Sequence, residues 1–202
     1  VSFHPLYGIV TESTNPFGLT SKAFVDHWGK VFKTTDYLGN STNITFSKSS
    51  NEYTVSSSSD DGSASVTISD ALGRPVKSGK KNIDGSWSYK VLEYDYLGRK
   101  FKISEPFSSG SPSQWTTSTF DDYGRQITST SPSGLVTTLS YNGLSVTATD
   151  GFKTTNSIKN SNGHVISSTD DGGTITYQYY ANGSLKNSNY QGTIVSMEYD
   201  EW

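Results

Sequence analysis

Three pairs of adjacent aspartates are the residues best suited to chemistry in this 202-residue sequence: Asp60-Asp61, Asp121-Asp122 and Asp170-Asp171. Neighbouring carboxylates could bind calcium or work as acid and base in catalysis. Each pair, however, precedes a glycine by one or two positions, the spacing at which aspartate caps a β-turn. A calcium loop of the EF-hand type would also place more acidic residues in one loop. We interpret the pairs as turn residues, with a cation site and a catalytic pair as the alternatives.

The three histidines are a second set of candidate ligands or bases. His4, His27 and His164 are isolated from one another in the sequence, which contains no cysteine. No Gly-x-Ser-x-Gly motif of a nucleophilic serine occurs either. We therefore expect surface or turn histidines, no metal, no cofactor and no enzymatic activity.

Aromatic residues are abundant, with 13 Tyr, 9 Phe and 4 Trp. Exposed aromatics on a polar β-sheet face are a common platform for sugars, and Trp87, Trp115, Tyr177 and Tyr179 are the candidates for glycan binding. Alternatively, these rings fill the inner face of a sheet and stack across strands. Both interpretations remain open at this point.

Composition narrows the classes of protein. Hydrophobic residues make up 32% and charged residues 17%, and the net charge is -3. The aromatic content and the small net charge argue against a disordered chain. With 16 basic against 19 acidic residues there is no basic face for nucleic acid, and no apolar run is long enough for membrane insertion. Since the chain begins at Val1, we expect a piece of a longer, exported protein.

The stretch from Tyr94 to Phe101 predicts a turn between two strands. Asp95 can accept a hydrogen bond from the backbone two residues on, and Gly98 tolerates the positive φ of a type I turn that is followed by a bulge. Similar stretches recur along the chain. The residues assigned to this repeated turn are Asp70, Gly73, Arg74, Tyr94, Asp95, Gly98, Arg99, Asp121, Gly124, Arg125, Tyr180, Gly183, Tyr199 and Asp200.

An arginine follows the glycine in the three strongest copies, at Arg74, Arg99 and Arg125. Its planar fork suits a repeated structural contact with neighbouring carbonyls or with an aspartate of the next copy. A row of arginines that faces a ligand is the alternative.

The spacing of the turns defines the repeat. Glycines at 124, 143, 163 and 183 follow one another at steps of 19, 20 and 20 residues. A second set of turns lies between them, so the unit is an antiparallel β-hairpin of about 20 residues. Apolar and polar residues alternate along the strands, and no amphipathic helix is evident.

We therefore predict an all-β fold of tandem hairpins that form a wide, curved or spirally wound sheet. Residues 1–21 are a first strand or a linker, and residues 22–202 are the hairpin array. The last motif copy, from Tyr199 to Trp202, stops where glycine would come next, which suggests truncation within a continuing repeat.

The Tyr-Asp-x-x-Gly-Arg pattern at Tyr94 to Arg99, with its relatives from Asp70, Phe120 and Tyr180, resembles the RHS or YD repeat. The resemblance covers the chain from about residue 20 to its end. It implies a large bacterial polypeptide, secreted or at the cell surface, in which many hairpins wind into a hollow shell. In toxin members of the family the shell encloses a C-terminal effector.

The function that this resemblance implies is structural. The chain would be part of a shell or scaffold that encloses, presents or carries another region, so its partner is the remainder of its own polypeptide. Nothing matches the family's self-cleaving aspartyl region, so no catalytic residue is carried over. A carbohydrate- or receptor-binding adhesion module with exposed aromatics is the alternative.

Overall fold

The computed structural model describes residues 1–200, which contain nineteen β-strands and no helix. The chain divides into two compact units, Val1–Trp115 and Thr116–Trp202. The strands of the first unit are β1 (Ser2–Phe3), β2 (Val10–Thr14), β3 (Thr20–Val25), β4 (Val31–Thr35), β5 (Ser41–Lys48), β6 (Tyr53–Ser59), β7 (Ala64–Ser69), β8 (Pro75–Lys81), β9 (Trp87–Tyr94) and β10 (Lys100–Ser104). The second unit contains β11 (Trp115–Phe120, whose first residue closes the first unit), β12 (Gln126–Thr130), β13 (Val136–Asn142), β14 (Ser145–Thr149), β15 (Thr154–Lys159), β16 (Val165–Asp170), β17 (Gly173–Tyr179), β18 (Leu185–Tyr190) and β19 (Thr193–Ser196).

Within each unit every strand pairs antiparallel with the strand that follows it in the chain. Apolar and polar residues alternate along the strands, which favours an antiparallel sheet with one solvated face. In β17, for example, Ile175, Tyr177 and Tyr179 are half-buried while the residues between them are exposed. The predicted all-β fold of tandem hairpins is therefore confirmed.

Each sheet is a single layer. Among residues 1–200 no apolar side chain is buried, and the buried residues are Gly79 and Ser104, the latter at 1% exposure. In the described part of the chain, strands contact only their neighbours in sequence. The apolar residues of the strands are thus shielded by adjacent side chains on the same face rather than by a second layer.

The first unit contains two segments outside the regular run of hairpins, one at its start and one after β10. Residues 1–21 contain β1, β2 and the start of β3, and they pair within the sheet. The serine- and proline-rich loop after β10 returns to β9, where Tyr89 and Phe107 exchange two backbone hydrogen bonds of 2.8 and 3.0 Å.

Two further expectations concern the chain's end and the membrane. The sequence predicts a truncated motif copy from Tyr199 to Trp202, but Glu201 and Trp202 lie outside the described residues. Among positions 1–200 there is no helix with the length and hydrophobicity that a bilayer crossing requires.

Candidate functional site: the tyrosine clamps

The turn at Asp95 shows how one motif copy is built. Oδ1 of Asp95 accepts hydrogen bonds from the backbone N–H of Leu97 and of Arg99, at 3.0 and 2.9 Å. The N–H of Gly98 donates to the carbonyl oxygen of Asp95 at 2.9 Å, and Gly98 has φ 80°. The register then shifts between Lys100 and Lys102, as expected of a bulge after a type I turn.

The arginine after the glycine bonds to the aspartate of its own turn. Nε of Arg99 donates to Oδ2 of Asp95 at 2.7 Å. The same bond measures 2.8 Å between Arg74 and Asp70, and 2.7 Å between Arg125 and Asp121. Each turn therefore neutralises its own carboxylate.

These contacts favour the ionised aspartates. The bond from the Arg74 side chain is the main cause that holds the pKa of Asp70 below its ordinary value. For Asp95 and Asp121, partial burial acts to raise the pKa, but hydrogen bonds from the backbone and side chain of each turn's arginine outweigh it. All three pKa values are lowered, which marks the carboxylates as structural acceptors rather than proton donors at neutral pH.

A tyrosine fastens one hairpin to the next. The β8–β9 ladder ends at the pair Lys77 and Val91, short of the turns. Beyond it, the hydroxyl of Tyr94 in β9 donates to the carbonyl oxygen of Pro75, the first residue of β8, at 2.8 Å. We call this contact a tyrosine clamp.

The clamp recurs at the same place in the second unit. The hydroxyls of Tyr141, Tyr179 and Tyr199 donate to carbonyls on the neighbouring strand at 2.7, 2.7 and 3.0 Å. In all four clamps the tyrosine lies three residues after its own strand's member of the last ladder pair. The acceptor carbonyl lies two residues before the other strand's member of that pair. The acceptors in the second unit are, in order, the carbonyls of Gln126, Val165 and Leu185.

The side chain just past the turn glycine covers the tyrosine ring. The guanidinium carbon of Arg74 lies 4.6 Å from the ring centroid of Tyr94. Arg125 lies 4.4 Å from the ring of Tyr141. The arginines were expected to bond an aspartate of the next copy, and the structure corrects this, because each bonds the aspartate of its own turn. The contact of Arg74 and Arg125 with the next hairpin is made instead with an aromatic ring.

The array tolerates substitutes at both clamp positions. The ring of His164 stacks on Tyr179 with centroids 4.7 Å apart and planes at 26°. Near the start of the chain Phe46 occupies the tyrosine position and Lys30 covers it, at 4.9 Å from the ring centroid. The cation and the hydroxyl are therefore separable parts of the clamp.

Tyr180 lies in a copy of the repeated turn. Its N–H donates to the carbonyl oxygen of Ser184 and its carbonyl accepts from Gly183, so it occupies the position of the turn aspartate. Tyr179, one residue earlier, is the clamp tyrosine. The clamp tyrosine and the first turn residue are thus adjacent tyrosines in this copy.

The paired aspartates act within turns. Oδ1 of Asp61 accepts from the N–H of Ser63 at 2.9 Å, and Oδ1 of Asp170 accepts from Gly172 at 2.9 Å. Oδ2 of Asp170 also forms an ion pair with Lys153 at 2.7 Å. In the described part of the chain no three His, Cys, Asp or Glu residues lie close enough together to hold a metal ion.

The remaining histidines contact aromatic rings. His4 stacks on Tyr7 at a centroid distance of 4.8 Å, and His27 lies against Trp28 at 3.4 Å.

The four candidate glycan-binding aromatics are all half-buried. Trp87 stacks on Tyr89, with centroids 5.8 Å apart and planes at 10°, and Lys102 lies 4.1 Å from the ring centroid of Trp115. Tyr177 and Tyr179 are both on β17, but only Tyr179 is a clamp. The two tryptophans belong to the first unit and the two tyrosines to the second.

No protein-family model matches the chain, and no curated protein matches it. Several solved structures do match the chain. The crystal structure of TcdB2-TccC3 matches with a TM-score of 0.55 and 15% identity, over 90% of this chain and 15% of that chain. The crystal structure of TcdB2-TccC3 without its hypervariable C-terminal region gives 0.57 and 12%, over 90% of this chain and 17% of that one.

The Photorhabdus luminescens Tc holotoxin pore gives a TM-score of 0.56 and 13% identity, over 92% of this chain and 17% of that one. The chain therefore spans less than a fifth of the length of the structures it matches. At these identities the likeness shows the fold alone, and that fold is shared with part of the Tc toxin structures.

Proposed function

We propose that this chain is a structural segment of an RHS-type β-shell within a larger, secreted bacterial polypeptide. The segment forms part of a wall that encloses, presents or carries another region, such as a C-terminal toxin. Its role is mechanical, and we assign it no enzymatic activity.

The observation that carries the proposal is a sheet with no buried apolar side chain among residues 1–200. A free-standing domain buries one face of its sheet against a second layer. Here the half-buried apolar residues of each strand lack such a layer, which suits a wall whose inner face is covered by enclosed chain. The clamps support the same proposal, because they join successive hairpins where the backbone ladders end.

The likeness to Tc toxin structures supports the proposal at the level of the fold. It also bears on location, since a wall segment of a toxin-like polypeptide would act outside the cell. The remainder of the same polypeptide is the partner that this role requires.

The complete reading frame of the parent gene tests the proposal. We expect further hairpin repeats on at least one side. A frame that encodes no further hairpin on either side would overturn it.

Glycan binding is the second candidate, favoured by the surroundings of Trp87. A surface depression of about 420 Å³ is lined by Trp87, Asn82, Phe107 and several serines of the loop after β10. An aromatic ring beside amide and hydroxyl groups suits a sugar. Binding to a glycan array that is lost in Trp87→Ala and kept in Trp28→Ala would support this function, and no binding by the intact chain would exclude it.

A further inference from the structure

The β8–β9 hairpin carries an excess of positive charge, although the net charge of the chain is -3. In residues 76–92, Asp84 is the one acidic residue against Lys77, Lys80, Lys81 and Lys90. Lys77 is engaged with an aromatic ring, since its Nζ lies 4.4 Å from the centroid of Tyr89. In the described part of the chain the other three lysines take part in no ion pair. Three positive charges of the hairpin are therefore free to meet a ligand.

Two of these lysines lie close together on one face of the sheet. The β8–β9 ladder pairs Lys80 with Ser88 and Ser78 with Lys90, so the four side chains share a face. Lys80 and Lys90 are diagonal neighbours in this ladder, a relation that places the residues about 7–8 Å apart. Both side chains are exposed. Two flexible ammonium groups at this separation can converge on one anion between them.

Hydroxyl groups surround the two lysines. A surface depression of about 450 Å³ is lined by Lys80 and Lys90 together with Ser65, Thr67, Ser78 and Ser88. The acid of the hairpin is engaged in its own turn, where Oδ1 of Asp84 accepts from the N–H and the hydroxyl of Ser86 at 2.9 and 2.6 Å. The depression therefore offers cations for a charged group and hydroxyls for the polar groups around it.

This depression adjoins the one beside Trp87. The two share Asn82, Ser88 and Pro106 as lining residues. Trp87 and Lys90 are three residues apart on β9 and so lie on opposite faces of the strand. A ligand that fills both depressions must therefore bend around the hairpin. A short chain of sugars can follow this path, whereas a small inorganic anion would fill only the lysine side.

We propose that the β8–β9 hairpin binds an acidic saccharide, with a carboxylate or sulfate group between Lys80 and Lys90 and a neighbouring sugar ring on Trp87. The inference rests on glycan binding, the second function proposed above, and names its ligand class. A nucleic acid calls for cations along a longer row of phosphates. A lipid surface calls for apolar side chains around the cations, where this depression has hydroxyls.

Isothermal titration calorimetry of the full chain with fragments of dextran, carboxymethyl dextran and dextran sulfate tests the inference. The fragments have equal length and the same backbone, and they differ only in the charged group. We expect at least one acidic form to bind roughly tenfold or more tightly than dextran, because hydrogen bonds to charged groups are the strong ones. The acidic form that binds more tightly identifies the charged group as carboxylate or sulfate. The advantage over dextran should shrink as the NaCl concentration rises.

Three variants assign the binding to the hairpin. Lys80→Gln combined with Lys90→Gln should reduce the affinity for the acidic forms to that for dextran. Trp87→Ala should weaken the binding of all three forms. Lys48→Gln combined with Lys159→Gln removes the same charge from two exposed lysines elsewhere and should bind like the wild type. Circular dichroism checks that each variant keeps its sheet.

Three outcomes would overturn the inference. The first is that neither acidic form binds more tightly than dextran, a result that leaves glycan binding itself to be decided by the glycan array. The second is acidic-form binding that survives either the double lysine variant or Trp87→Ala. The third is equal or tighter binding of polyglutamate, duplex DNA or phosphatidylglycerol vesicles, which would show a general attraction to anions or a different class of partner. None of these results bears on the reading-frame test of the wall function.

Discussion

The hydroxyl of Tyr94 donates to the carbonyl oxygen of Pro75 at 2.8 Å, beyond the last backbone pair of the two strands that carry them. This bond links the two hairpins beyond the end of their ladder, beside the contact of Arg74 with the Tyr94 ring. The same relation holds at three further tyrosines.

Removal of the hydroxyl in Tyr94→Phe should lower the free energy of unfolding by about 1 kcal/mol, the net contribution of one hydrogen bond. Urea denaturation followed by tryptophan fluorescence measures it. Tyr96→Phe is the matched control, since this tyrosine is 93% exposed at the tip of the adjacent turn. Equal losses in both variants would show that the hydroxyl of Tyr94 is not a clamp.

Addition of a hydroxyl in Phe46→Tyr should stabilise the chain by about 1 kcal/mol. Phe46 lies three residues after the last pair of the β4–β5 ladder, so a tyrosine there would reach the carbonyl of Val31 as the other clamps do. Differential scanning calorimetry should show a higher Tm. Phe32→Tyr, on a half-exposed ring, is the control, and a Tm that does not rise in Phe46→Tyr would contradict the positional rule.

The turns and the hairpin period could be predicted from sequence because aspartate and glycine act within four residues of each other. The clamps could not be predicted from sequence. A clamp tyrosine is recognised by its distance from the last backbone pair of a ladder, and that distance depends on the strand register. At Tyr179 and Tyr180 the local pattern fits either residue, and only the backbone bonds of Gly183 decide between them. Alternation predicts an apolar face, but it does not tell whether a second layer covers that face.

Two glycines should respond to alanine for different reasons. Gly73 has φ 78° with open space around it, so Gly73→Ala should cost about 1 kcal/mol of backbone strain. Gly79 lies under the ring of Tyr89, and an added Cβ would meet Cδ1 of that ring at 2.6 Å and Cγ1 of Val66 at 2.9 Å.

Gly79→Ala should therefore destabilise through overlap, and Tyr89→Ala in the same chain should relieve the part of that cost that comes from the ring. A double-mutant cycle by urea denaturation measures the coupling. Additive effects at Gly79 and Tyr89 would contradict the close approach. The cost of Gly73→Ala should be the same with and without Tyr89→Ala, because no side chain lies near Gly73.

Stability should fall in acid. The folded pKa values of Asp70, Asp95 and Asp121 lie below the ordinary value of 3.8, so the unfolded chain binds protons first as pH drops. Their contribution is complete above about pH 5 and is lost progressively below about pH 4.

Urea denaturation between pH 3 and pH 7 checks this dependence. The triple variant Asp70→Asn, Asp95→Asn and Asp121→Asn keeps the side-chain oxygen of each turn but cannot titrate, so its fall in stability below about pH 4 should be smaller than that of the wild type. Asp122→Asn, at an exposed turn tip, is the control and should keep the full fall. A triple variant that loses as much stability as the wild type would show that the arginine-bonded carboxylates do not set the acid limit.

Cryo-electron microscopy of the complete polypeptide encoded by the parent gene is the decisive test of the wall function. We expect these hairpins to form part of a wall, with their half-buried apolar residues covered by enclosed chain of the same polypeptide. Hairpins that project freely into solvent, with both faces of their sheet uncovered, would contradict it.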